Sequence, residues 1–184
     1  YQLENTAERA VEIMEGSQLR GMRLSLAMVS AEENAALLMS EKREVCAPTI
    51  HNFAFGEGLP VEVSIETDLS ASSGTGGVVW DAALFLSEWL HCNRARALYG
   101  QTVIELGAGL ALPSLVAAQH AEHVVLTDYV SEALELMSRN CVRNGVEGNT
   151  SICRLDWRSE VDIAKVAAFQ PTVLIFSEVV YSLE

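Results

Sequence analysis

The stretch Val103-Ile104-Glu105-Leu106-Gly107-Ala108-Gly109-Leu110-Ala111-Leu112-Pro113 decides the fold. Val103 to Leu106 suits a short buried strand, Gly107 and Gly109 follow, and Pro113 opens an apolar segment reaching Gln119 that reads as a helix. Strand, glycine turn and helix in that order build the ligand crevice of doubly wound α/β folds. Glycine lets the backbone approach a ligand with no Cβ in the way, and the helix N-terminus after the turn offers unpaired N–H groups. The dinucleotide pattern Gly-x-Gly-x-x-Gly needs a third glycine where Leu112 stands, which disfavours a nicotinamide dinucleotide site.

Working outward, the same grammar repeats downstream. Apolar runs at His123 to Thr127, Ser151 to Leu155 and Thr172 to Ser177 alternate with helical segments at Ser131 to Asn140 and Val161 to Phe169. Such alternation predicts a parallel sheet covered by helices on both faces, with right-handed crossovers. Asp128 closes the second strand 128 − 107 = 21 residues after the first glycine. That spacing sets a carboxylate at the tip of the neighbouring strand, where it can accept hydrogen bonds from both ribose hydroxyls of an adenosine ligand.

Upstream, Ala83, Leu86 and Leu90 recur at helical spacing and predict a helix over Trp80 to Leu90. The Ser/Gly-rich segment Asp68 to Gly77 reads as a loop, and its Gly-Thr-Gly-Gly lacks the Gly-Lys-Ser/Thr ending of a P-loop. Ile50, Phe53 and Phe55, then Gly56-Glu57-Gly58, then Val61, Val63 and Ile65 alternating with polar residues predict a β-hairpin. From Tyr1 to about Arg43 the sequence predicts one or two helices broken near Gly16 and Gly21, with Ser30 and Glu33 as a capping box for a helix reaching Glu41. The expected division is a helical extension over 1–47 and an α/β domain over 48–184.

Twelve Lys plus Arg against 25 Asp plus Glu leave a formal charge of −13, which argues against nucleic-acid backbone binding. The densest apolar run, Val78 to Leu90, carries Asp81 and Glu88, so no membrane span is expected. Hydrophobic residues at 49% and charged residues at 20% fit a folded domain. Cys46, Cys92, Cys141 and Cys153 show no Cys-x-x-Cys spacing, and reduced thiols in a cytosolic or nuclear compartment are the simplest reading. His120-Ala-Glu-His123 lacks the His-Glu-x-x-His order of a zinc helix, so no metal is expected. The absence of Gly-x-Ser-x-Gly removes the usual hydrolase signature.

Five blocks now stand in order: Gly77-Val78-Val79-Trp80-Asp81-Ala82-Ala83, Glu105-Leu106-Gly107-Ala108-Gly109, Leu126-Thr127-Asp128-Tyr129, Leu155-Asp156-Trp157 and Ser177-Glu178-Val179-Val180-Tyr181. Together they resemble the seven-strand, S-adenosylmethionine-dependent methyltransferases, specifically the protein lysine methyltransferases grouped with nicotinamide N-methyltransferase-like proteins. The resemblance implies a Rossmann-like sheet and methyl transfer from S-adenosylmethionine to a protein lysine, leaving S-adenosylhomocysteine. Glu105, Gly107 and Gly109 would line the methionine and ribose side of the cofactor, and Asp128, followed by Tyr129, would hold the ribose hydroxyls. Asp156 and Trp157 would border adenine, and Trp80 would close over the cofactor. Ser177 opens the last block, whose Glu178 and Tyr181 match the Asp/Glu-x-x-Tyr motif beside the methyl group and the substrate nitrogen. Translation factors and chaperones are among the family's substrates.

Two features depart from the family pattern. Ala111 stands where many members have a third glycine, which narrows the approach to the cofactor. The chain opens at Tyr1 rather than Met and stops at Glu184, just past the fourth strand, where members continue with a fifth strand and an antiparallel pair. The expected sheet is therefore truncated. These departures leave a non-catalytic cofactor-binding or docking module as an alternative, and the nicotinamide-like resemblance leaves a small-molecule N-methyltransferase as another.

Overall fold

The computed structural model describes residues 48–57, 60–67 and 74–179. The expected N-terminal helices with their Ser30–Glu33 capping box, Gly58, most of the Asp68–Gly77 loop, and Tyr181 lie outside the described residues.

Strands β1 (Thr49–Phe55) and β2 (Val61–Thr67) form the expected antiparallel hairpin, with Phe53 opposite Val63 and His51 opposite Ile65. Alternation along β2 sends Val63 and Ile65 into the core. Gly74–Gly77 is a short 3-10 turn where the sequence reads as loop. Helix α1 (Asp81–Cys92) starts just after the extended Trp80 and runs two residues beyond Leu90, and a four-residue helix that periodicity does not reveal, α2 (Arg94–Ala97), follows Asn93.

The α/β unit then runs β3 (Thr102–Leu106), α3 (Leu112–Ala118), β4 (His123–Asp128), α4 (Ser131–Arg143), β5 (Thr150–Arg154), α5 (Glu160–Ala167) and β6 (Val173–Phe176). All four strands are parallel, in the order β5-β4-β3-β6. The chain steps from β3 outward to β5 and then returns to insert β6 on the other side of β3. That reversal opens a crevice at the carboxyl ends of the strands.

Period-two alternation divides the sheet between two cores. Val103, Val124 and Leu126 pack with the hairpin's Phe55, Val63 and Ile65 and with helix α3, every residue of which is buried. Ile104 and Val125 face the opposite way, onto Leu155 and onto Val166 of α5. Both faces thus carry helices, as the alternating pattern predicts, but Leu174 and Phe176 on β6, in register with Ile104 and Leu106, remain exposed. The Ser159 hydroxyl caps α5 by accepting from Asp162 N at 3.2 Å. The buried Asp162 in turn accepts from Arg154 at 3.0 Å and from Asp156 N at 3.2 Å, tying the end of β5 to α5.

The hairpin is fastened to α4 by charge as well as packing. Glu66 at the end of β2 is 8% exposed and receives Arg139 and Arg143, each at 2.8 Å. Burial alone would raise the Glu66 pKa, but the two guanidinium groups overcome it and hold the carboxyl below its ordinary value.

Candidate functional site

A cleft of about 780 Å³ opens at the carboxyl ends of β3, β4 and β6. Its floor is the glycine turn after β3. Gly107 has φ +61°, and a Cβ there would stand 3.0 Å from Val179 Cγ1 and 3.7 Å from Trp157 Cζ2, both on the cleft wall. Gly109, at φ +51°, lies against Gly76, whose carbonyl oxygen would be 3.4 Å from an added Cβ. Left-handed conformation and close approach together require glycine at these two positions. The turn is also tied to the next strand, Ala108 N donating to the Thr127 carbonyl at 2.8 Å.

Asp128 sits at the tip of β4, 9% exposed, and lines the cleft. Its Oδ2 accepts from Gly109 N and its Oδ1 from Val130 N, both at 3.1 Å. Each carboxylate oxygen has a second lone-pair direction, so the residue that clamps the turn keeps acceptor capacity for two hydroxyls.

Aromatic side chains form the walls. Trp157 is 50% exposed and Tyr129 54%, both at the cleft, which Trp80 at the head of α1 also lines. Broad exposed rings beside a backbone floor suit the faces of a planar, partly apolar ligand. Asp156 also lines the cleft, and Arg158 grips its carboxylate with Nε to Oδ1 at 3.0 Å and Nη2 to Oδ2 at 2.9 Å. The hydrogen bonds from Arg158 hold this carboxyl well down, at about 2. Ser177 and Glu178 complete the wall just past β6. Glu178 has φ +50°, a left-handed conformation that disfavours a glutamate by roughly 1–2 kcal/mol. Strain of this kind concentrates where a side chain is aimed for a purpose.

Two expectations need correction. Glu105 is not on the cleft wall: alternation sends it, like Val103, beneath α3, where it is 1% exposed. Its Oε2 accepts from Ser114 N at 3.0 Å and from the Ser114 hydroxyl. Burial, with a smaller push from the Asp128 charge, drives the carboxyl up to about 8 against those two hydrogen bonds. The N-terminus of α3 consequently offers less than expected, since Pro113 has no N–H and Ser114 N is taken by Glu105. Ala111, finally, has no exposed surface and packs in the core, with φ +69° at the helix N-cap. It nonetheless borders the cleft beside Leu110, and its left-handed backbone costs about 1–2 kcal/mol.

The structure therefore brings Trp80, Gly107, Gly109, Asp128, Tyr129, Asp156, Trp157, Ser177 and Glu178 around one cleft and sets Glu105 behind it. Sequence reading missed Arg158, which its place two residues after Asp156 signals as a local partner, and Gly76, which the Gly-rich loop hid. His120 and His123 diverge: the former approaches His91 Nδ1 at 3.4 Å, the latter Ser151 Oγ at 3.0 Å.

Comparison with known proteins bears on the same residues. Residues 60–184 match the model of a family described as lysine methyltransferase. The protein-lysine N-methyltransferase EEF2KMT of Mus musculus is 31% identical over 166 residues, 83% of this chain and 48% of the mouse protein. Its Homo sapiens counterpart is 30% identical over 146 residues, 72% of this chain and 44% of that one. The protein N-lysine methyltransferase METTL21A of Danio rerio is 32% identical over 111 residues, covering 59% and 49%. The chain thus spans about half the length of the curated relatives it matches.

Proposed function

Since this chain belongs to the lysine methyltransferase family matched over residues 60–184, we propose that its cleft binds S-adenosylmethionine and that the protein methylates a lysine side chain of a protein substrate. The observation carrying this reading is the convergence on one cleft of a backbone floor that excludes a Cβ, a ribose-type carboxylate and exposed aromatic faces. A cleft of about 780 Å³ falls within the range that encloses a cofactor-sized ligand. Gly107 and Gly109 would take the methionine and ribose side, Asp128 the ribose hydroxyls with Tyr129 beside them, and Trp157 and Asp156 the adenine, with Trp80 closing over the cofactor. When bound, S-adenosylmethionine supplies an electrophilic methyl group on a sulfonium.

The remaining work falls to the chain's own residues. An incoming lysine amine, with an ordinary pKa of about 10.4, must be neutral to attack, and removal from water favours that form. A carboxylate favours the cation instead, so Glu178 recruits and orients the lysine. Tyr181 is assigned to steering the amine lone pair, with proximity and alignment supplying much of the acceleration. The acidic balance of 12 against 25 charged residues supports a locally basic protein partner such as a translation factor or chaperone rather than nucleic acid, and four cysteines without Cys-x-x-Cys spacing support a reducing cytosolic or nuclear compartment.

Calorimetric titration with S-adenosylhomocysteine tests the cofactor half of this reading. Micromolar binding is expected, and Asp128→Ala should weaken it by about 100-fold through two lost charge-assisted hydrogen bonds and a loosened turn. Equal affinity in the two proteins would overturn the assignment. For the transfer half, Glu178→Gln should leave S-adenosylhomocysteine affinity within about threefold while cutting methyl incorporation into lysate protein by about 100-fold. Undiminished incorporation would remove Glu178 from the chemistry, and label found only in the acid-soluble fraction would favour a small-molecule acceptor.

A further inference from the structure

Asn140 in helix α4 and Asn144 at its C-cap lie one turn apart and meet the outer edge of β2. Asn144 Oδ1 accepts from Ser64 N at 2.8 Å while its Nδ2 donates to Ser64 O at 2.8 Å. Asn140 repeats the exchange with Glu66, accepting from N at 2.7 Å and donating to O at 3.3 Å. Four helical residues rise about 6.0 Å and two strand residues about 6.7 Å, so amides at i and i+4 match strand positions i and i+2. Two side chains thus stand in for a neighbouring strand.

Asn140 does one thing that Asn144 does not. With no exposed surface, it also donates from Nδ2 to the carbonyl of Leu110, at 3.3 Å. Leu110 belongs to the glycine turn and lines the cleft, between Gly109, which Asp128 holds, and the strained Ala111. Asn144 spends its second donor on Asn140 O at 2.7 Å instead.

We propose that Asn140 is a positioning residue for the cofactor turn: one buried amide clamps β2 and fixes the Leu110 carbonyl, so that seating of the hairpin sets the shape of the cleft floor. For its bearing on cofactor affinity the proposal rests on the S-adenosylmethionine reading. Its bearing on the turn does not.

Asn144 supplies the control, because it clamps the same strand without reaching the turn. Wild type, Asn140→Asp, Asn140→Ser and Asn144→Asp are compared by thermal melting, by amide hydrogen exchange across 107–111 and by titration with S-adenosylhomocysteine. Asn140→Asp turns a donor into a carboxylate facing two carbonyls. Asn140→Ser leaves room for water and serves if the aspartate variant does not fold. Either Asn140 variant should speed exchange at Ala108, Gly109 and Ala111 by about tenfold and weaken S-adenosylhomocysteine by about tenfold, the scale of one lost buried hydrogen bond. Asn144→Asp should lower the melting temperature comparably while leaving both readouts within about threefold. Equal effects of the Asn140 and Asn144 changes, or turn exchange unmoved by Asn140 variants, would overturn the proposal. If wild type does not bind S-adenosylhomocysteine, the cofactor reading falls. The exchange data then decide the positioning role alone: acceleration confined to Asn140 variants supports it, and its absence defeats it.

Discussion

Replacing Gly107 with alanine should leave a folded protein that binds S-adenosylhomocysteine at least about 100-fold more weakly, a loss of about 2.7 kcal/mol. Two effects act together. At φ +61° an L-residue costs roughly 1–2 kcal/mol, which the turn relieves by shifting away from its present geometry. The methyl group would also stand 3.0 Å from Val179 Cγ1 and 3.7 Å from Trp157 Cζ2, displacing the floor and the indole wall at once. Gly145→Ala separates the two effects, because Gly145 shares a positive φ of +65° but has nothing within 4 Å of an added Cβ. Both variants should melt a few degrees low, and only Gly107→Ala should lose the ligand. Equal ligand affinity in the two would show that the turn does not form the ligand floor.

The second large effect is on stability against pH. The Glu105 carboxyl, 4.5 when unperturbed, is driven up to about 8 by burial beneath α3. Between those values the folded protein keeps a proton that the unfolded chain has released, so unfolding becomes easier as pH rises through this window. The contribution is fully present below the unfolded value and gone above the folded one. Glu66 has the opposite sign: with its pKa lowered, its contribution is present above its ordinary value and is lost as pH falls below it. Wild-type stability should therefore decline by a few kcal/mol, to order of magnitude, from about pH 5 to about pH 8. Glu105→Gln, an isostere of the protonated acid, should flatten that decline and be the more stable protein at the alkaline end. Urea midpoints for both proteins across the window provide the check, and parallel curves would mean that Glu105 is ionised in the fold.

The parts of the site that sequence exposed are those whose chemistry is local. Gly107 and Gly109 announce a turn because only glycine enters it cheaply, and Asp128 announces itself by standing where an apolar run ends. Trp157 and Glu178 were found through motif order. Glu105 shows how a motif can mislead: it lies within the glycine block, yet strand alternation from Val103 already sends it toward the core. Asn140 and Asn144 were illegible for a different reason. They sit on a helix that also carries Glu132, Glu135, Arg139 and Arg143, where an amide reads as solvated surface, and their partners on β2 lie 74 and 80 positions away. Nothing in the spacing of one helix encodes the edge of a strand so distant. Helix α2 escaped because four residues are too few to show a period.

The strand order has a consequence for how the cleft comes into being. Gly107, Gly109 and Asp128 belong to a single β3–α3–β4 unit, whose closure joins Thr102 to His123. Glu178 arrives only with β6, whose register pairs Val103 with Val173 across a far longer loop. The added closure entropy is small, about 1 kcal/mol, but non-local parallel pairing is slow to form. A nascent chain therefore brings Gly107, Gly109 and Asp128 together at the cleft before Glu178 reaches it.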